Sequence, residues 1–272
     1  MEYEIKPAGK FTINLSELWE YRELIYFFTW RDIKVKYKQT FFGAAWAVFQ
    51  PLLLMMVFTV FFAGNFKISS GNIPYPVFVF SGLLLWNVFA NGLSNAGNSM
   101  VTNANIIKKI YFPRLVIPIS SILSAMLDFL IAMVVYFCLL FYYHLQQAIP
   151  AILLMLPLSM LITLFTTLGV GSFLAALNVK YRDFRYVIPF MIQVLMFMTP
   201  VIYPVTTTDI GWIRTLLVLN PMTGAIEIIR STVMQNPMDQ TVVLVAAVTS
   251  VFWLVLGIAY FRRTEYYFAD LA

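Results

Sequence analysis

A chain of 272 residues that is 61% hydrophobic and 11% charged, with a mean hydropathy of +0.80, stands far from soluble globular domains, where the charged fraction is about 25%. It reads as an all-α integral membrane protein. One cysteine and one histidine, Cys138 and His144, exclude a disulfide framework within the chain and are too few for a zinc or iron–sulfur site.

The first two dozen residues mix acids with polar side chains, so no cleavable signal peptide is expected and insertion should rely on internal spans. From Leu15 to Phe28, apolar Leu18, Trp19, Leu24 and Ile25 alternate with Glu17, Glu20, Arg22 and Glu23, with Asn14 or Ser16 as a cap. This predicts an amphipathic helix along the membrane surface, Trp and Phe toward lipid. It could serve as an anchor or as a docking element for a partner. Arg31, Lys34, Lys36 and Lys38 then crowd against the first apolar run, which places the N-terminus on the cytoplasmic side.

A helix needs roughly 20 apolar residues to cross the hydrocarbon core, and six stretches qualify, over about 44–63, 77–99, 115–143, 151–177, 186–203 and 241–261. The domain reading is a cytoplasmic segment over 1–43, a six-span domain over 44–261 and a cytoplasmic tail over 262–272. Between spans five and six, residues 213–234 are apolar but are cut by Pro221. They are expected to form a short re-entrant helical hairpin in the outer leaflet, with Glu227 and Arg230 paired at i, i+3. With six spans every Lys and Arg except Lys67, Arg214 and Arg230 falls inside. A seventh crossing would put Arg262 and Arg263 on the wrong face. The net charge of +5 is therefore topological, and no nucleic-acid partner is expected.

Two loops predicted to be cytoplasmic are short, basic and aromatic, running from Asn103 to Pro118 and from Asn178 to Pro189. Exposed Tyr111, Phe112, Tyr181 and Phe184 could fill pockets on another protein, or could be interfacial aromatics beside topology charges. In the first loop Pro113 is expected to end a short helix with Tyr111 and Phe112 at its tip. Asp128 is the one formal charge deep in a span. It is either part of a proton or substrate path or a hydrogen-bonded packing residue. Aromatic residues are 17% of the chain; most are read as belt and packing residues, and a minority could stack on sugars along a passage. No phosphate-binding G-x-x-x-x-G-K-[ST] loop, H-E-x-x-H, G-x-S-x-G elbow or paired-carboxylate cluster occurs in the sequence. The chain is not expected to be an enzyme or to bind a cofactor, and energy for any pumping must come from elsewhere.

Three segments, WRDIKVKYKQTFFGAAWAVFQPLL, NANIIKKIYFPRLVIP and RDFRYVIPFMIQVLMFMTPVIYP, together resemble the ABC-2-type permeases that export O-antigen, capsule and wall teichoic acid polysaccharides. The resemblance implies a homodimer in the bacterial inner membrane, both termini cytoplasmic. It also implies two separate ATPase subunits that carry ATP and Mg²⁺, and an undecaprenyl-pyrophosphate-linked polymer as substrate. The family's coupling helix maps to Ile106 to Arg114, and so includes Lys108, Lys109, Tyr111, Phe112 and Pro113. Tyr181, Arg182 and Phe184 of the second basic loop join it as candidate ATPase contacts. The interface helix maps to Leu15 to Phe28, and the outer gate to the hairpin holding Pro221, Glu227 and Arg230. Arg31, Lys34 and Lys38 are candidates for attracting the lipid pyrophosphate, or are topology charges alone. A membrane-embedded glycan or lipid transferase and an ion-coupled transporter resting on Asp128 are the alternatives.

Overall fold

The computed structural model describes residues 15–38, 45–65, 73–205 and 211–265, and every regular element among them is helical. The proposed cap Asn14, Ala44 at the start of the first span, Lys67 and the tail beyond Glu265 lie outside the described residues.

Helix α1 (Leu15–Glu20) is separated from α2 (Arg22–Lys38) only by a turn at Tyr21, across which Leu24 and Ile25 both donate to the Tyr21 carbonyl. The expected surface helix therefore continues through the basic run, since no Gly or Pro interrupts residues 22–38. Trp19 points outward, but Phe28 is buried against Phe112, ring centroids 5.8 Å apart. The expectation that the Phe faces lipid is thus corrected: α2 is apolar on two sides, and Phe28 lies on the side against the bundle.

Five helices are long and apolar enough to cross a membrane. Helix α3 (Ala45–Phe58) runs on as a π-helical segment, Thr59–Asn65, and buries almost none of its surface. Helix α4 (Tyr75–Thr102) starts at Pro74, where a missing N–H costs nothing, and is the most enclosed of the five. After one turn, α5 (Ala104–Ile107), come α6 (Val116–Tyr142) and, past a 3-10 turn, α7 (Ile149–Lys180). Helix α8 (Phe184–Met198) has 15 residues, about 22 Å at the usual rise, short of the ~30 Å core. The expected fifth span is thus a shorter helix followed by an irregular stretch from Thr199. Helices α9 (Gly211–Leu219) and α10 (Pro221–Met234) meet at Asn220, as the Pro221 break suggests, and α11 (Gln240–Glu265) ends the described chain.

Helix α4 sits among α6, α7 and α10, and α7 packs along α11. Phe80 of α4 stacks on Tyr136 of α6 at 5.9 Å, and Asn178 of α7 donates to the Gly97 carbonyl of α4 at 2.9 Å. The α7–α11 crossing is backbone on backbone. A Cβ at Gly257 would lie 1.8 Å from the Gly169 oxygen, and one at Gly169 would lie 2.3 Å from the Trp253 oxygen, the close approach small residues permit between membrane helices. Two apolar clusters result. The larger fills the middle and the α10 half, and the smaller, with Phe28, Ile107, Phe112, Val179 and Phe261, lies where both basic loops leave the bundle.

Candidate functional site

The basic loop after α4 is held at three points and free between them. Helix α5 stops at Ile107, so residues 108–113 form turns and irregular backbone rather than a helix ended by Pro113. Phe112 is only 5% exposed, packed on Phe28, and Pro113 is buried beside it. Phe112 is therefore not at the loop's tip: with no polar atom, it completes the small core instead. Arg114 donates from its guanidinium to the Glu265 carbonyl, and its backbone N–H donates to Glu265 Oε1 at 3.3 Å. Those bonds tie the loop to the end of α11. What remains outward is Lys108, Lys109, Ile110 and Tyr111, the last 73% exposed, while Ile106 is half-buried at the edge.

The second loop leaves the same cluster through Val179. Tyr181 and Arg182 are exposed and Phe184 is half-buried, so the exposure expected of Phe184 holds only in part. Lys180 lies over the Tyr181 ring at 5.1 Å, and Tyr181 and Phe184 rings are 6.3 Å apart. One end of the bundle thus carries two outward patches of cations and aromatics on a shared apolar base, a composition suited to docking another protein.

Arg31, Lys34 and Lys38 do come together, lining a shallow groove of about 370 Å³ with Phe27 and Trp30. Arg31 is paired with Asp32 at 2.7 Å and lies over the Phe28 ring at 4.8 Å, and Lys34 lies over Trp30 at 5.3 Å. Lys36 turns the other way and bonds to Asp128, which also accepts from the Tyr37 hydroxyl. Burial and then the adjacent carboxylate push the Tyr37 phenol above its usual range, so it stays a proton donor to Asp128. Asp128 is thus hydrogen-bonded, with partners on α2 that no spacing within α6 could reveal. Because Asp128 is only 13% exposed and holds both Lys36 and Tyr37, Asp128→Asn should cost on the order of 1–3 kcal/mol; thermal unfolding of the detergent-solubilised protein measures it.

At the opposite end, the expected Glu227–Arg230 pair does not form. The side chain of Arg230, 1% exposed, reaches the carbonyls of Pro200, Val201 and Phe78 and lies 3.7 Å over the Phe78 ring. Glu227 stays half-buried without an ion pair among the described residues. A fully buried guanidinium with five donors is better served by a set of backbone oxygens than by one carboxylate a turn away. Pro221 is the first residue of α10, where Asn220 caps by accepting from Met222 N–H at 3.0 Å and donating to Thr199 Oγ1 at 2.8 Å.

Two further features were missed from sequence. Glu265, the anchor of Arg114, gave no signal beyond being an acid after Arg262 and Arg263. The other was legible: Asn87, Asn91, Ser94, Asn95 and Asn98 follow one another at helical steps. They line a cleft of about 490 Å³ between α2, α3, α4 and α6 and a groove of about 800 Å³ between α2, α4, α5 and α6, which share Lys36 and Asn91.

Two relatives described as "O-antigen export system permease protein RfbA" align over nearly the whole chain. The one from Klebsiella pneumoniae is 30% identical over 264 residues, 96% of this chain and 98% of its own. The one from Myxococcus xanthus is 29% identical over 257 residues, 93% and 97%. "Polysialic acid transport protein KpsM" of Escherichia coli is 24% identical over 244 residues, 86% and 91%. A family model described as "ABC-2 type transporter" matches residues 23–234, and with so much of the chain inside it, this chain is a member of the ABC-2 type transporter family.

Proposed function

We propose that this chain is the membrane subunit of an ATP-driven exporter that moves undecaprenyl-pyrophosphate-linked polysaccharide out of the cytoplasm across a bacterial inner membrane. It works as a homodimer with two ATPase subunits, which hold ATP and Mg²⁺. The observation that carries the reading is the end of the bundle where two basic, aromatic loops stand on one apolar cluster. The relatives' names supply the substrate class.

In this reading Lys108, Lys109, Tyr111, Tyr181 and Arg182 meet the ATPase, while Ile106, Phe112, Pro113, Arg114 and Phe184 hold the loops in place. Arg31, Lys34 and Lys38 attract the pyrophosphate, since Lys34 and Lys38 are exposed in their shared groove. The Arg114–Glu265 bonds put the end of α11 beside the first basic loop. That supports six crossings, with short α8 and the stretch from Thr199 completing the fifth, α9 and α10 as the outer re-entrant gate, and both termini cytoplasmic.

Coexpression with a candidate ATPase subunit from the same genome tests the reading. The pair should copurify and hydrolyse ATP, and the chain should restore surface polysaccharide to a strain lacking its own permease. ATP turnover by the purified chain alone would overturn it. Tyr111→Ala, or charge reversal at Lys108 and Lys109, should weaken copurification and leave thermal stability unchanged. Phe112→Ala should do the reverse first, costing about 3 kcal/mol, which separates the docking surface from its support. Asp128→Asn should keep polysaccharide on the surface, whereas an ion-coupled transporter would lose flux.

A further inference from the structure

Helix α4 is nearly enclosed by the bundle, yet the face it leaves open is the polar one. Asn87, Asn91, Ser94 and Asn98 are half-buried and Asn95 and Thr102 exposed, while Leu93 and Met100 on the opposite face are buried; Leu84 and Val88 border the same cleft as Asn87 and Asn91. From Asn87 to Thr102 this face runs about 22 Å at the helical rise, most of the ~30 Å hydrocarbon core. Asn98 is tied down, donating to the Ser94 carbonyl at 2.9 Å and accepting from Asn178 at 3.1 Å. The side chains of Asn87, Asn91 and Asn95 make no hydrogen bond among the described residues. Amides turned toward hydrocarbon would each cost a desolvation penalty with nothing in return. Such a row therefore faces water, a second copy, or a polar ligand.

We infer that this row is a binding track for a neutral, polyhydroxylated glycan chain, with Asn87, Asn91 and Asn95 hydrogen-bonding its hydroxyl groups. The inference rests on the exporter reading above and names the wall along which the polymer passes. An amide offers two donors and an acceptor, the complement of a sugar hydroxyl, which both donates and accepts. A phosphate-rich or acidic polymer would call for cations along the row, and here the lining cations, Arg31 and Lys36, sit at the α2 side, paired with Asp32 and Asp128. An acyl chain would leave every amide unpaired. Neutral hydroxyls match the row along its length, and bonds to uncharged amides are weak enough to let a polymer slide.

The test combines chemistry and export. In a Cys138→Ser background, Asn91→Cys and Asn95→Cys are treated with a water-soluble thiosulfonate in membranes that contain the coexpressed ATPase. Reaction at both thiols supports the track. An unreactive thiol, or a spontaneous disulfide between two copies, overturns it. In the export assay, Asn91→Leu with Asn95→Leu should lower surface polysaccharide on the order of ten-fold, the scale set by leaving buried hydroxyls unpaired. ATPase copurification should be unchanged, and the Gln pair should retain most export. Parental export by the Leu pair, or equal loss in the Gln pair, overturns the inference. Failure of the parent chain to restore any surface polysaccharide would instead sink the exporter reading, and the thiol reactions would still decide whether the row is open to water.

Discussion

Gly257→Leu is expected to lower the unfolding temperature of the protein by about 10 °C. The position tolerates no side chain: a Cβ there would sit 1.8 Å from the Gly169 oxygen, and that atom is backbone in the middle of α7, unable to rotate away. Relief requires α7 and α11 to separate, and in doing so they would open the packing of Gly224 of α10 on Ala246 of α11. Overpacking costs typically 1–3 kcal/mol where side chains can adjust. Where backbone must move, a loss of at least ~3 kcal/mol is expected, or about 10 °C in unfolding temperature at a few degrees per kcal/mol. Gly257→Ala should fall between the parent and Gly257→Leu, and Gly169→Val should reproduce the leucine result from the other helix. Gly211→Ala is the control, since nothing lies within 4 Å of a Cβ there. Thermal unfolding by size-exclusion chromatography in detergent reads all four. A parental midpoint for Gly257→Leu would show that backbone contact is not what joins α7 to α11.

Arg230→Met is the second large effect. The substitution keeps the volume and apolar stem but strips the carbonyls of Pro200, Val201 and Phe78 of their shared donor. Two of those oxygens belong to the irregular stretch after α8, which has no helical ladder to fall back on. Leaving them unpaired inside the bundle should cost about 3 kcal/mol. Arg230→Lys should recover only part of this, because an ammonium is a point donor and cannot span three oxygens as the planar guanidinium does. Gly82→Ala should act in the same direction, since its Cβ would lie 2.7 Å from Arg230 Nη2 and 2.9 Å from the Val201 oxygen. The expected result is protein that inserts but unfolds earlier, with the 199–205 stretch newly open to protease. Protection equal to the parent would mean that Arg230 does not hold that stretch.

Most of the long helices were readable in the chain because apolar length is a local property. The spans expected over 77–99 and 115–143 appear as Tyr75–Thr102 and Val116–Tyr142, each about a turn or less from its expected ends. The membership of an ABC-2 family was carried by three contiguous motifs and is borne out. Local pattern failed where the outcome depends on what arrives from elsewhere. Phe112 reads as an exposed loop aromatic until Phe28 is placed against it. Glu227 and Arg230 read as an i, i+3 pair until the carbonyls after α8 outbid the carboxylate. The fifth span is apolar for long enough, but its helix stops at Met198 and Pro200 follows with its carbonyl given to Arg230.

The amino-acid sequence alone therefore determined the membrane class, the position of five long helices and the clustering of charge into two short loops, because hydrophobic length and charge placement need no knowledge of neighbours. Only the tertiary structure decided which loop side chains point outward, what partners Asp128 and Arg230 take, and that the open face of α4 is its asparagine row. Those outcomes are set by which surfaces the bundle buries, and a side chain's partner across helices is chosen by packing rather than by its place in the chain.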